Sequence, residues 1–296
     1  MYEGVRSPAV HMPKTLGDLY FASNRFPKAL FWAGGTHIMS RPNYYPDKES
    51  PDVISLQGIP ELRRISRTEK YLEIGSMVTF EMLLRVGRQV LSPLLQKTLE
   101  NTATKIIRRQ ITFGGSLATV GVRYALAGTL AALQGEVEVK GNLGPRTETQ
   151  WLAVERLYDK QGRLLLKGDE LITRIRLSFE RETFSTFRVG GSVMQHPEEC
   201  VYLSLSCTYS QSVINNFKMV ITFPTSLFLV PYEVGMMMSG TMLPLSSQHI
   251  GRAVKSISDE IMVNATETPH PIQLERAKRF IEASLHELNA QSLSSR

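Results

Sequence analysis

Cysteine is scarce in this sequence. The 296 residues include two, Cys200 and Cys207, which rules out a disulfide framework and leaves too few thiolates for an iron–sulfur cluster held by this chain alone. Low cysteine usage fits a reducing compartment, and the cytoplasm is the expected location. Long apolar runs are also missing. Met219 to Met238 comes nearest, but Pro224, Pro231 and Glu233 interrupt it; it predicts two buried strands and no membrane span. Met1 to Lys14 lacks the apolar segment of a signal peptide. Basic tracts are absent as well. Lys and Arg total 34 against 28 Asp and Glu, a net charge of +6, yet they reach only doublets such as Arg63–Arg64 and Arg108–Arg109. The excess favours anionic ligands without the dense patch that nucleic acid requires. The six histidines (His11, His37, His196, His249, His270 and His286) show no metal-ligand spacing with carboxylates or thiols nearby, so no metal site is expected. No serine nucleophile elbow, G-x-G-x-x-G or Walker A sequence is present.

What is present reads as two α+β units. Hydrophobic residues make up 42% and charged residues 21%, ordinary for a globular chain able to bury a core. Thr15 caps a short helix carrying Leu16, Leu19 and Tyr20. Strands are expected at Ala29 to Ala33, Val53 to Leu56 and Tyr71 to Gly75. Helices are expected at Phe80 to Val86, Leu91 to Leu99 (with Ser92–Pro93 as its start) and Tyr124 to Leu133. Val137 to Lys140, Leu164 to Lys167 and Leu171 to Leu177 return to strand patterns, the last alternating Ile with Arg. Beyond Phe179 the strand signals become consecutive: Thr186 to Val189, Val201 to Tyr209, Phe217 to Phe223 and Ser226 to Val230. Two helices follow. The second, Ile272 to Leu288, lines up Leu274, Ala277, Phe280, Ile281, Leu285 and Leu288 on one face. The implied division is residues 1–180, two α/β lobes, and 181–296, antiparallel strands and then helices. Cys200 and Cys207, an odd number of positions apart, are expected to be buried small hydrophobes on opposite sides of one strand. Met236 to Met238 reads as packing.

Two turns carry chemistry. Phe31-Trp32-Ala33-Gly34-Gly35-Thr36-His37-Ile38 runs a buried strand into a glycine pair. Thr112-Phe113-Gly114-Gly115-Ser116 repeats the ingredients after Arg108 and before a helix. Glycine permits positive φ and close approach of a ligand, and consecutive amides make an anion-binding nest. Both turns therefore suit a diphosphate, whose charge Arg108 could neutralise; Arg63, Arg64, Lys105 and Arg109 read as solvated.

These residues, in this order, resemble the FAD-binding subunit of the molybdenum hydroxylases, the group of xanthine dehydrogenase and carbon monoxide dehydrogenase. Ala33-Gly34-Gly35-Thr36 resembles the family's first flavin turn. Ile59-Pro60-Glu61-Leu62 with Leu72-Glu73-Ile74-Gly75-Ser76 and Thr79, then Ile107-Arg108 with Thr112 to Ser116, then Glu170-Leu171-Ile172-Thr173 and Phe187-Arg188 follow in register, from about residue 9 to residue 290. There are departures. His37 stands where Asp is common, Arg109 and Ser116 replace Asn, Arg188 replaces Lys, and the family's flavin-contacting acid falls at Ala125.

The resemblance implies an α+β fold, a two-lobed PCMH-type FAD-binding domain followed by a domain of antiparallel sheet plus helices. FAD would lie between the lobes, its diphosphate on main-chain amides of Gly34 to His37 and Thr112 to Ser116, with Leu171 and Arg188 also contributing to the site. No catalytic acid or base and no covalent flavin link are implied. The chain would be one subunit of a hetero-oligomeric oxidoreductase, xanthine dehydrogenase-like, relaying electrons from a partner iron–sulfur small subunit, fed by a molybdopterin-binding large subunit, to NAD or another acceptor. A structural or assembly subunit that retains the fold without cofactor, and a stand-alone flavin oxidase, are the alternatives.

Overall fold

The computed structural model describes residues 9–40, 52–87, 90–141, 148–168, 170–180 and 182–294; the first eight residues of the Met1 to Lys14 stretch lie outside these. Among the described residues the strands form three sheets. The first is parallel and holds β1 (Val10–His11), β2 (Leu30–Trp32) and β3 (Val53–Ser55), with β3 central. Helix α1 (Leu16–Arg25) joins β1 to β2, and α2 (Thr36–Ser40) follows β2. Thr15 starts α1 as expected: its hydroxyl accepts from the Asp18 amide, and the Asp18 carboxylate accepts from the Thr15 amide. Leu19, Ile54, Ile59, Leu62 and Leu171 pack into the core of this lobe.

The second sheet is antiparallel: β4 (Ile65–Arg67), β5 (Tyr71–Gly75), β8 (Leu171–Ser178), β6 (Glu136–Gly141) and β7 (Glu148–Ala153), in that spatial order. Between β5 and β6 run α3 (Phe80–Leu84), α4 (Pro93–Asn101), α5 (Lys105–Arg108), α6 (Phe113–Leu117) and α7 (Ala125–Ala132). The Ile/Arg alternation of β8 sorts its side chains as a two-residue period demands. Ile175 and Leu177 enter the core. Arg174 and Arg176 line the opposite face, where Arg174 Nη2 lies 2.6 Å from Glu138, its Nη1 3.0 Å from Glu73, and Arg176 Nε 2.6 Å from Glu136. The Arg176 guanidinium also stacks 4.1 Å from the Trp151 ring centroid.

The third sheet, antiparallel, is β9 (Phe184–Gly190), β10 (Val201–Ser210), β11 (Val213–Phe223) and β12 (Leu227–Leu229), followed by α8 (Tyr232–Met238), α9 (Ser247–Asn264) and α10 (Pro271–Ser294). Ala277, Ile281, Leu285 and Leu288 of α10 are fully buried. Cys207 joins the core under these helices, whereas Cys200 joins the core on the other side of the sheet; both thiols are free, and burial pushes the Cys207 thiol up to about 12.

Three expectations need correction. Leu164 to Lys167 is no strand: Leu164 and Leu166 turn inward and Leu165 outward, as a strand's would, but only Leu164 pairs, in a bridge to Tyr158. β7 was not foreseen, since its Glu148-Thr149-Gln150 start carries no apolar alternation. Three helices, not two, close the chain: Tyr232 to Met238, expected within a strand pair, coils into α8 with Met238 buried and Met236 exposed.

Helix α7 belongs to the core that the second and third sheets share. All eight of its residues are buried, between α4 and the third sheet. Its Thr129 hydroxyl bonds Thr98 of α4 at 2.8 Å and Ser204 of β10 at 2.9 Å.

Candidate functional site

The two glycine turns are in contact. A Cβ on Gly34 would sit 1.9 Å from the Gln110 carbonyl oxygen, and one on Gly115 would sit 3.3 Å from the Ala33 Cβ and 2.7 Å from Thr112 Oγ1. Gly35 has φ +71° and lies on the Trp32 indole, whose Cζ2 would be 2.4 Å from an added Cβ. A Cβ on Gly114 would meet that of Ser76 at 2.6 Å. All four glycines are therefore required by the protein's own packing, which lets the turns interlock. The sequence suggested that they make room for a ligand; in the structure Gly34 and Gly115 make room where the turns meet, Gly35 for the Trp32 ring and Gly114 for Ser76.

The amides divide differently from the expectation. Among the described residues, nothing accepts from the amides of Gly34, Gly35 and Thr36, and these form the open side of the first turn. In the second turn the Phe113 amide donates to Val78 O, Gly114 to Ser76 O, Gly115 to Thr112 Oγ1 and Ser116 to Thr112 O, at 2.8–3.2 Å. The expectation that amides of both turns serve one diphosphate is narrowed accordingly: Phe113 to Ser116 are already satisfied, and of the second turn only the Thr112 amide has no acceptor among the described residues. Both α2 and α6 have five residues, too short for a helix dipole to add much.

Other expected site residues separate from this cradle. Arg108 donates from Nη1 to the Glu100 and Ala103 carbonyls at 2.9 and 2.8 Å, with Nε 3.8 Å from Glu81; it caps the end of α4 and is not aimed at the turns. The Phe113 ring is buried, edge-on to Phe80 at 5.2 Å. Leu171 lies in the first lobe's core. Arg188 bonds Ser284 and Glu287 of α10, each at 2.8 Å. What the structure brings together is Ala33 and Gly34 against Gln110, Thr112 and Gly115, with Gly35 on the Trp32 ring; Phe31 packs on the first lobe's core.

Sequence reasoning missed three contributors. Tyr124 bonds His37 Nδ1 through its hydroxyl at 2.8 Å. Ser76, packed on Gly114, has a buried hydroxyl without a partner among the described residues. Arg123 is almost fully buried and donates to the carbonyls of Thr119, Val122 and Gly162, its guanidinium 4.9 Å from the Tyr158 ring. Tyr158 in turn donates to Leu117 O at 2.8 Å, so this pair ties down the end of α6. Burial lowers the Arg123 pKa, against the opposing pull of Tyr158 and Asp159. Only a hydrophobic-helix start at Tyr124 was visible in the sequence; the contacts are long-range.

The family model for the FAD binding domain in molybdopterin dehydrogenase matches residues 5–178. The chain belongs to this family. FAD is its cofactor. Solved structures share the fold over nearly the whole chain. A chain of reconstituted CO dehydrogenase from Oligotropha carboxidovorans is 20% identical, with 98% of this chain and 100% of that one covered and a TM-score of 0.79. One of quinoline 2-oxidoreductase from Pseudomonas putida 86 is 16% identical, with 99% of each covered and a TM-score of 0.76. One of carbon monoxide dehydrogenase from Hydrogenophaga pseudoflava is 17% identical, with 96% and 98% covered and a TM-score of 0.78. No curated protein sequence matches the chain. Among the described residues, no helix is long and apolar enough to cross a membrane.

The FAD-binding domain's residues fit the cofactor at the first turn. Its three unclaimed amides, beside the Thr36 hydroxyl, offer the donors that a diphosphate takes.

Proposed function

We propose that this chain is the electron-relay subunit of a molybdenum-hydroxylase-type oxidoreductase, with an FAD-binding part to about residue 180 and a C-terminal part from 181 to 296. The observation that carries the reading is the open amide row at Gly34 to Thr36, pressed against the second turn by the Gly34–Gln110 contact. These amides hold the diphosphate, with the Thr36 hydroxyl as a further donor. The second turn gives a rigid wall, and Ser76 and Ser116 set hydroxyls close behind it. FAD, when bound, accepts and donates electrons one or two at a time; the protein contributes position and electrostatics. Ion pairs on the outer face of the second sheet neutralise one another locally.

Partners follow from this role. Electrons enter from an iron–sulfur subunit supplied by a molybdopterin-binding subunit and leave to NAD or another acceptor, in the cytoplasm. The relatives named for carbon monoxide and quinoline support a complex of this general kind more than one with a xanthine substrate.

The test is purification of the chain with its co-expressed genomic neighbours. A yellow complex whose flavin absorbance bleaches when the substrate of the molybdenum subunit is added, and recovers with acceptor, supports the relay. A flavin that stays oxidised while substrate is consumed would reject it.

A further inference from the structure

Tyr124 stands at the N-cap of α7, yet its side chain makes no capping bond there. It reaches across 87 positions of sequence to His37 instead, with the hydroxyl 2.8 Å from Nδ1 and the rings edge-on at 76°. His37 directly follows Thr36, the last of the three open amides. The other end of the bond is fixed: α7 is buried on every side, and the neighbouring Arg123 is held by three carbonyls. Tyr124 also lies near Tyr202 of β10, whose phenol is raised first by burial and further by neighbours that include Tyr124.

We propose that Tyr124 is a flavin-positioning residue, whose hydroxyl, through His37, fastens the first glycine turn to α7 and thereby holds the diphosphate amides in place. The inference rests on FAD occupying this cleft. It assigns the work of holding the turn to a phenol–imidazole bond, next to Ala125, where the helix offers no acid. A turn fastened before the cofactor arrives loses less freedom on binding, so the bond adds to affinity without touching the cofactor.

The experiment measures FAD dissociation constants and off-rates by calorimetry and stopped-flow fluorescence on the full-length chain and its variants. Tyr124→Phe removes one oxygen and keeps the ring. It should weaken FAD about fivefold to tenfold, mainly through a faster off-rate, with the melting temperature of the FAD-free protein unchanged. His37→Phe should cost the same, and the double variant no more than either alone. His37→Asn, which can still meet the phenol, should recover part of the loss. Unchanged affinity in Tyr124→Phe overturns the proposal, as do fully additive losses or a loss that merely tracks a lower melting temperature. A wild-type chain that takes up no FAD overturns it together with the cofactor reading beneath it.

Discussion

Gly34 separates two explanations of a glycine-rich turn at the level of single residues. An added methyl would strike the Gln110 carbonyl, which is backbone and cannot swing aside. Gly34→Ala should therefore wedge the turns apart, costing about 3 kcal/mol and emptying the flavin site; thermal melting and flavin content of the purified variant will show it. At Gly115 the first obstacle is the Thr112 hydroxyl, a side chain that can yield, so Gly115→Ala should cost less. Arg123 makes a second case. Arg123→Met would leave the Thr119, Val122 and Gly162 carbonyls buried without donors, a loss of roughly 3–5 kcal/mol in urea unfolding, and Arg123→Lys would recover little because the planar fork is lost. The glycines, Thr36 and His37 were legible in the sequence because local chemistry marks them. Arg108 and Arg188 were misjudged because a guanidinium reaches whichever acceptors tertiary packing offers, here the end of α4 and the face of α10.

Among the elements, legibility follows periodicity. β5 and β8 were readable because one face of each is wet and the other dry. β7, an edge strand with a polar start, had no period to read, and the leucines from Leu164 had a strand's period but only one bridge, to Tyr158, to pair with. The charged face of the second sheet gives a pH prediction. Burial alone would push the Glu138 carboxyl up, but hydrogen bonds from Arg174 and Thr173 outweigh it and hold the carboxyl below its usual 4.5. The ionised form therefore favours the folded chain. That contribution is complete above the unfolded value of about 4.5 and disappears as pH falls through the lower folded value. Urea midpoints taken from about pH 7 down to about pH 3 should fall through this window, and Glu138→Gln should start lower and fall less there.

The second and third sheets are held together through α7. One hydrophobic core runs from Leu72 and Ile74 of the second sheet through Leu126 and Leu130 to Tyr202, Val220 and Phe228 of the third. Residue 180 falls between β8 of the second sheet and β9 of the third, and packing continues across it; sequence patterns show which face is apolar but not which partner covers it. Calorimetry should give a single unfolding transition. Thr129→Val strands the Ser204 hydroxyl, while Thr98 keeps its bond to Leu94 O, and it should lower that transition by about 1–3 kcal/mol without splitting it. The interlocked turns have a further consequence, for synthesis. Gly34 leaves the ribosome long before Gln110, the residue that shapes it. A nascent chain thus carries half a cradle until the second lobe has emerged, and cofactor loading must wait for translation to pass that point.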